Sequence, residues 1–254
     1  MSNVKKYFQE RSIKYVLFDM DRTLVDTGPY FRKRMFEAVL EIVKKEFKNK
    51  RLKEQEDITE DILNISTSYY KKTYTPMLVD QLTLLALETY FSESSITYSK
   101  KEIESFLKIH FKNFYNLSPS LFPYTTETLY KINKTDIKMG VYSHAQYNWT
   151  EKKIEKIKKE YKQKYKEDLN LPFFTTGIND SKDALGWKKA AKQLSFTINN
   201  TLVIGDSLIS DIYPAIEAGY TYLVYLHHSN PIPKIESNAQ VYITQDLGTI
   251  FSDI

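Results

Sequence analysis

The chain has 254 residues, 42% of them hydrophobic and 27% charged, with a formal net charge of +4. This is ordinary globular composition with ample material for a core, and the positive excess is too small to argue for a nucleic-acid partner. There is no cysteine, which excludes disulfides and thiolate metal sites and fits a reducing, cytoplasmic setting.

Residues 1–12 are polar and charged, without the apolar centre of a signal peptide. A near-continuous apolar run, Tyr15-Val16-Leu17-Phe18, then ends on Asp19-Met20-Asp21-Arg22-Thr23. Such a run reads as a strand buried on both faces. Asp26-Thr27-Gly28-Pro29 signals a turn and a helix start. Over residues 30–47, Phe31, Met35, Val39, Ile42, Val43 and Phe47 recur at helical spacing. A second helix is expected over residues 75–91, with Pro76 in its first turn; it is apolar nearly all round and so central to a helical layer. Its most apolar part, residues 77–87, is broken by Asp80 and Gln81 and is too short to span a bilayer. The chain is therefore expected to be soluble, with no membrane partner. Ser99-Lys100-Lys101-Glu102 is a capping-box pattern that opens a third helix, with apolar positions Ile103, Phe106, Leu107, Ile109 and Phe114.

Strands and helices then alternate. Helices are expected over residues 126–132, 150–168, 187–194 and 211–218, the last closed by Gly219. Strands are expected over 137–142, 171–175, 201–204, 220–226 and 240–244. This pattern predicts an α/β fold, a Rossmann-like parallel sheet core with right-handed crossovers and an inserted all-helical domain. The domain boundaries read as 1–25 with 118–254 for the core, and 26–117 for the insertion.

The chemistry gathers at the strand ends, where open α/β sheets bind ligands. Asp19 and Asp21 are two residues apart; in extended backbone they point the same way and raise each other's proton affinity. That suits a nucleophile beside a proton donor, or a cation site. Ser143 ends the 137–142 strand, where a hydroxyl and free amides can hold a phosphoryl oxygen. Gly205-Asp206 ends the 201–204 strand, with Asp211 five residues on. Three carboxylates around one crevice call for a cation, and hard oxygen donors point to magnesium. Lys182, in the polar stretch Asn179-Asp180-Ser181-Lys182-Asp183, could neutralise phosphate and nucleophile together.

In this order, D-x-D-x-T, strand-Ser, loop-Lys and G-D-S-x-x-x-D resemble the four motifs of the haloacid dehalogenase-like hydrolase superfamily, over most of the chain from Ile13 to Thr244. Phe122-Pro123-Tyr124 is similar to that family's lead-in to its second motif, as is the stretch from Asp211-Ile212 to Ala218-Gly219 after its fourth. The resemblance implies a helical cap inserted after the first motif, with the Ser143 and Asp206 strands flanking that of Asp19. It implies that Asp19 attacks phosphorus to form an aspartyl-phosphate, and that Asp21 protonates the leaving oxygen and later deprotonates water. Thr23 would support the Asp21 loop, and with Ser143 and Lys182 it would surround the transferring group. Mg2+ would be held by Asp19, the Asp21 main-chain carbonyl and Asp206, with Asp211 close, directly or through water. Dehalogenating members lack the second aspartate, because halide leaves without a proton. Asp21 therefore points to a phosphatase acting on a small phosphorylated metabolite, of the nucleotide or sugar phosphate class. A phosphomutase of the same superfamily and a catalytically idle binding protein on the same fold are the alternatives.

Three residues depart from the pattern. Arg22 stands where glycine or another small or polar residue is usual. No proline follows Lys182, which leaves Lys188 as a competitor. His144 follows Ser143 where a small polar residue is commoner. The lysine-rich run 150–166 reads as a solvated helix with local ion pairs, with nucleic-acid contact the minor alternative. Tyr69, Tyr70, Tyr74, Tyr90, Phe91 and Tyr98 read chiefly as the core of the insertion, with stacking on a base or sugar as the other reading. Nothing in the sequence reads on oligomeric state.

Overall fold

Six strands form one parallel sheet in the computed structural model, which describes residues 3–73, 77–176, 181–228 and 234–251. They are β1 (Tyr15–Phe18), β2 (Lys138–Ser143), β3 (Phe173–Thr175), β4 (Thr201–Gly205), β5 (Tyr222–Leu226) and β6 (Gln240–Thr244), in the order β3-β2-β1-β4-β5-β6. Phe18 lies across from Val141 of β2 and Ile204 of β4. The chain builds outward from β1 to β3, then returns to the other side of β1 with β4. The crevice at the carboxyl ends of β1 and β4 is therefore a topological switch point.

Alternate residues of β1 explain why its sequence is apolar throughout. Val16 and Phe18 pack with Val4, Phe8, Leu129, Ile132, Ile154, Ile157 and Tyr161 on one face. These come from α1 (Asn3–Glu10), α6 (Thr125–Asn133) and α7 (Tyr147–Tyr165). Leu17 packs on the other face with Trp187, Ala190 and Ala191 of α8 (Ala184–Gln193) and Ala215 and Ala218 of α9 (Tyr213–Ala218). With both faces covered, β1 meets water only at its end.

The chain divides into two compact units, one of residues 1–26 with 118–254 and one of residues 27–117. The second is helical: α2 (Thr27–Glu46), α3 (Leu52–Thr73), α4 (Val79–Glu93) and α5 (Lys100–His110). In it α4 touches α2, α3 and α5, which accounts for its apolar composition. The Ser99 hydroxyl accepts a hydrogen bond from the Glu102 amide, closing one side of the capping box. Phe91 is buried and tilts against Tyr98 at 5.1 Å, so this aromatic pair is core. The expected helix start at Thr75 and Pro76, the Tyr74 position and the Tyr70 side chain lie outside the described residues. Among those described, no helix is long and apolar enough to cross a membrane.

Several element ends are shifted by a few residues; α4 opens at Val79 after an extended Leu78 rather than at residue 75, and four further differences are larger. The helix α3 has no counterpart in the apolar pattern, because its buried face carries Gln55, Thr59 and Ser66 beside Ile58, Ile62 and Leu63. The short α1 gives too few apolar positions to form a pattern: among the described residues, Val4 and Phe8 carry its buried side. Ile109 is 75% exposed, although it falls in a helical apolar pattern. Residues 211–218 are not one α-helix. A π-helical turn, Leu208–Ile212, precedes α9 and sets Asp211 in a widened coil.

Candidate functional site

Asp19 is the first residue beyond β1, and its amide donates to the Ile204 carbonyl at 2.8 Å. The sheet thus carries it one residue past the last full strand pair, beside the end of β4. Asp206 follows β4 directly, and Asp211 sits on the π-helical turn. Carboxylate oxygens of Asp19, Asp206 and Asp211 all lie within 4.8 Å of one another. Gly205 permits this approach. A Cβ there would stand 2.6 Å from both the Cβ and Oδ2 of Asp211, closer than atoms pack.

Lys182 enters this cluster. Its ammonium donates to Asp19 Oδ1 and, at 2.6 Å, to Asp211 Oδ1. Its side chain is 3% exposed. Burial alone would lower its proton affinity, but Asp19 and Asp211 raise it above the ordinary lysine value. Lys188, the other candidate, lies exposed on α8. The stem of Lys182 is framed by Tyr142 and Trp187, each ring centroid 5.1 Å from the ammonium. Gly186 makes room here as well, since a Cβ would collide with the Tyr142 hydroxyl.

The acids are short of positive charge. Burial pushes the Asp19 carboxyl up to about 7; Lys182 draws it back, while Asp211 and Asp21 add to the rise. Asp206 is raised well above the ordinary carboxylate range by burial first, then by Asp19 and Asp211, against Arg22 and Lys182. A divalent cation would relieve both. The donor set fits one. Asp211 already uses Oδ1 for Lys182 and Oδ2 for the Ser207 amide at 2.9 Å. Asp19 and Asp206 are therefore the freer direct ligands, and Asp211 suits an outer place, through water. Two carboxylates with open positions for water and substrate oxygens match how magnesium is usually held.

Ser143 ends β2, next to β1, and its hydroxyl is buried without a hydrogen-bond partner among the described residues. The same is true of the Thr23 hydroxyl. Buried hydroxyls normally find partners, and an incoming oxyanion would supply one. His144 is half-buried beside Ser143.

Asp21 lies in the tight loop after β1, where the Leu24 and Val25 amides both donate to the Met20 carbonyl. Two residues around it have contacts that the sequence does not announce. Lys153, on α7, is completely buried and donates to Asp21 Oδ1 at 2.5 Å. Burial pulls its proton affinity down and Asp21 opposes the fall. The solvated-helix reading of residues 150–166 is thus corrected at this position. The buried face of α7 is Trp149, Thr150, Lys153, Ile154, Ile157 and Tyr161. Lys153 falls on that stripe, a signal masked by the many lysines around it. Arg22 is the second. Its φ of 64° is in the region that favours glycine, which is the residue type expected at this position. Its loop is closed by the Arg22 amide on the Val25 carbonyl at 2.7 Å and by His228 Nε2, 2.8 Å from the Arg22 carbonyl. The guanidinium reaches Asp206, Nε to Oδ2 at 3.4 Å.

A family model described as haloacid dehalogenase-like hydrolase matches residues 13–219. No curated protein sequence matches the chain. Solved structures with the same fold include a haloacid dehalogenase-like family hydrolase of Xanthomonas campestris, 15% identical over 95% of this chain and 94% of that one, with a TM-score of 0.61. YfnB of Bacillus subtilis, described as a HAD-hydrolase and bound to magnesium, is 14% identical over 94% and 97%, with a TM-score of 0.62. A Thermotoga maritima protein described as a beta-phosphoglucomutase is 18% identical over 95% and 98%, also at 0.62. Haloacid dehalogenases are among the other matches. At these identities the likeness speaks for the fold alone.

Proposed function

The chain belongs to the haloacid dehalogenase-like hydrolases, and on that premise we propose that it is a magnesium-dependent phosphatase of a small phosphorylated metabolite, working through Asp19. The observation that carries this reading is Asp21. A second acid beside the nucleophile has work to do when the leaving group is an alkoxide that needs a proton, and none when it is a halide. Its firm seat against Lys153 and the unpartnered Ser143 hydroxyl add support.

Asp19 attacks phosphorus in line, forming an aspartyl-phosphate as the ester oxygen leaves with a proton from Asp21. Asp21, now a carboxylate, takes a proton from water, whose oxygen attacks phosphorus and frees phosphate and Asp19. Ser143 and Lys182 hold the equatorial oxygens, and Lys182 neutralises charge on both the phosphoryl group and the nucleophile. Thr23 braces the Asp21 loop. Asp19, the Asp21 carbonyl and Asp206 would hold Mg2+, with Asp211 behind them, and the bound ion would supply positive charge between the carboxylate and the phosphate. In this reading the helical insertion serves as the cap.

The test is phosphate release with Mg2+ over nucleoside monophosphates, sugar phosphates and an aryl phosphate, with halide release from 2-haloacids run beside it. Magnesium-dependent phosphate release that disappears in Asp19→Asn is the expected result. Halide release without phosphate release would replace the reading with a dehalogenase. Isomerised sugar phosphate without free phosphate would replace it with a mutase.

A further inference from the structure

Lys153 is a buried cation with no part in the steps above, and its surroundings are unusual. A lysine on a helix ordinarily reaches water with its ammonium. This one points inward from the apolar stripe of α7, with its ammonium 3.6 Å from the centre of the Trp149 ring and 2.5 Å from Asp21 Oδ1. Its side chain is 0% exposed, against 31% for Asp21. Burying an ammonium is costly unless it is paired, so the fold has been arranged around this contact. The ring and the helix fix the lysine, and the lysine fixes one carboxylate oxygen.

We propose that Lys153 is the positioning residue for Asp21. It holds Oδ1 from behind the loop so that Oδ2 is the oxygen offered to the leaving group and then to water. Asp21 stands on a loop of a few residues next to a left-handed Arg22, and without Lys153 its carboxylate could rotate. Proton transfer needs the acid within hydrogen-bond reach of its target. Lys153 touches neither substrate nor phosphorus in this scheme; it acts only through Asp21. The inference rests on the phosphatase reading.

That dependence sets the experiment. Lys153→Met keeps the stem and its packing on Trp149, and Lys153→Gln is a second, polar variant in case the first fails to fold. Each is compared with the unsubstituted chain on an alkyl phosphate and on an aryl phosphate with a good leaving group, with Mg2+ saturating. The expected loss in kcat on the alkyl ester is on the order of 10²-fold, the cost of a misplaced group, with KM little changed. The loss in phosphorylating Asp19 should be smaller on the aryl ester, whose leaving group needs no proton; rapid-quench kinetics reads that step. In an Asp21→Asn background, Lys153→Met should cost nothing further. Equal losses in that step on both esters, or full additivity with Asp21→Asn, would overturn the inference and leave the phosphatase reading standing. Failure of the unsubstituted chain to release phosphate from any ester would overturn both.

Discussion

Lysine–carboxylate pairs occur in two settings within the sheet unit, and they do different work. On the outside of α7, Lys164 meets Glu127 and Lys162 meets Asp168, with lysine side chains 47% and 65% exposed. At the strand ends Lys182 and Lys153 are 3% and 0% exposed. Water and salt screen the outer pairs, and holding two long side chains together costs entropy, so their net worth is small. The inner pairs are screened far less, least of all Lys182 with Asp19. Removing one partner there leaves an uncompensated charge in a poorly polarisable place. The same chemistry is decoration on one face of a helix and machinery on the other.

The contrast can be broken most sharply at the nucleophile. Asp19→Asn keeps the shape of the side chain but removes its charge, and turnover should fall by on the order of 10⁴-fold or more, measured as phosphate release. Fold retention is checked by circular dichroism. Lys182→Met comes next. It leaves Asp19 and Asp211 buried without their cation, and about 3–5 kcal/mol of stability should be lost, read from urea denaturation, together with activity. Gly205→Ala probes packing rather than charge. The added methyl would strike Asp211 at 2.6 Å, and a carboxylate pinned by Lys182 and the Ser207 amide cannot swing away cheaply. A loss of about 1–3 kcal/mol is expected, with weaker Mg2+ binding by calorimetry. The smallest effect belongs outside. Glu127→Gln should change stability by no more than about 1 kcal/mol; a loss as large as that of Lys182→Met would erase the distinction.

How much of this could be read from the chain depends on whether a residue announces its surroundings. The strand of Asp19 does, because β1 is apolar at every position and stops on an acid. Asp206 does also, through the apolar run and Gly205 before it. Lys182 does not; one lysine in a polar stretch looks like any other, and only the order of motifs singled it out. Lys153 was hidden by composition, since neighbouring lysines on α7 made the whole run look solvated. Its place four residues after Trp149 and next to Ile154 was the available signal. The helix α3 was obscured for the opposite reason: its buried side carries Thr59, Ser66 and Gln55, which periodicity does not count as core. For Lys153 and Lys182 the partners are Asp21 and Asp19, distant in sequence, and they leave no local trace; on α3 the partners are near, with Thr59 and Ser66 donating to the Gln55 and Leu63 carbonyls of their own helix, but polarity alone does not announce that such a residue is buried.

The central claim is that Asp19 carries a phosphoryl group during turnover. The direct measurement is mass spectrometry of the protein after rapid acid quench from a mixture with Mg2+ and a phosphate ester that it hydrolyses. The account predicts a phosphoryl adduct that maps to Asp19, forms within one turnover and is absent in Asp19→Asn. Turnover with Asp19 unmodified, or an alkyl ester on Asp19 formed from a 2-haloacid with halide released, would contradict it.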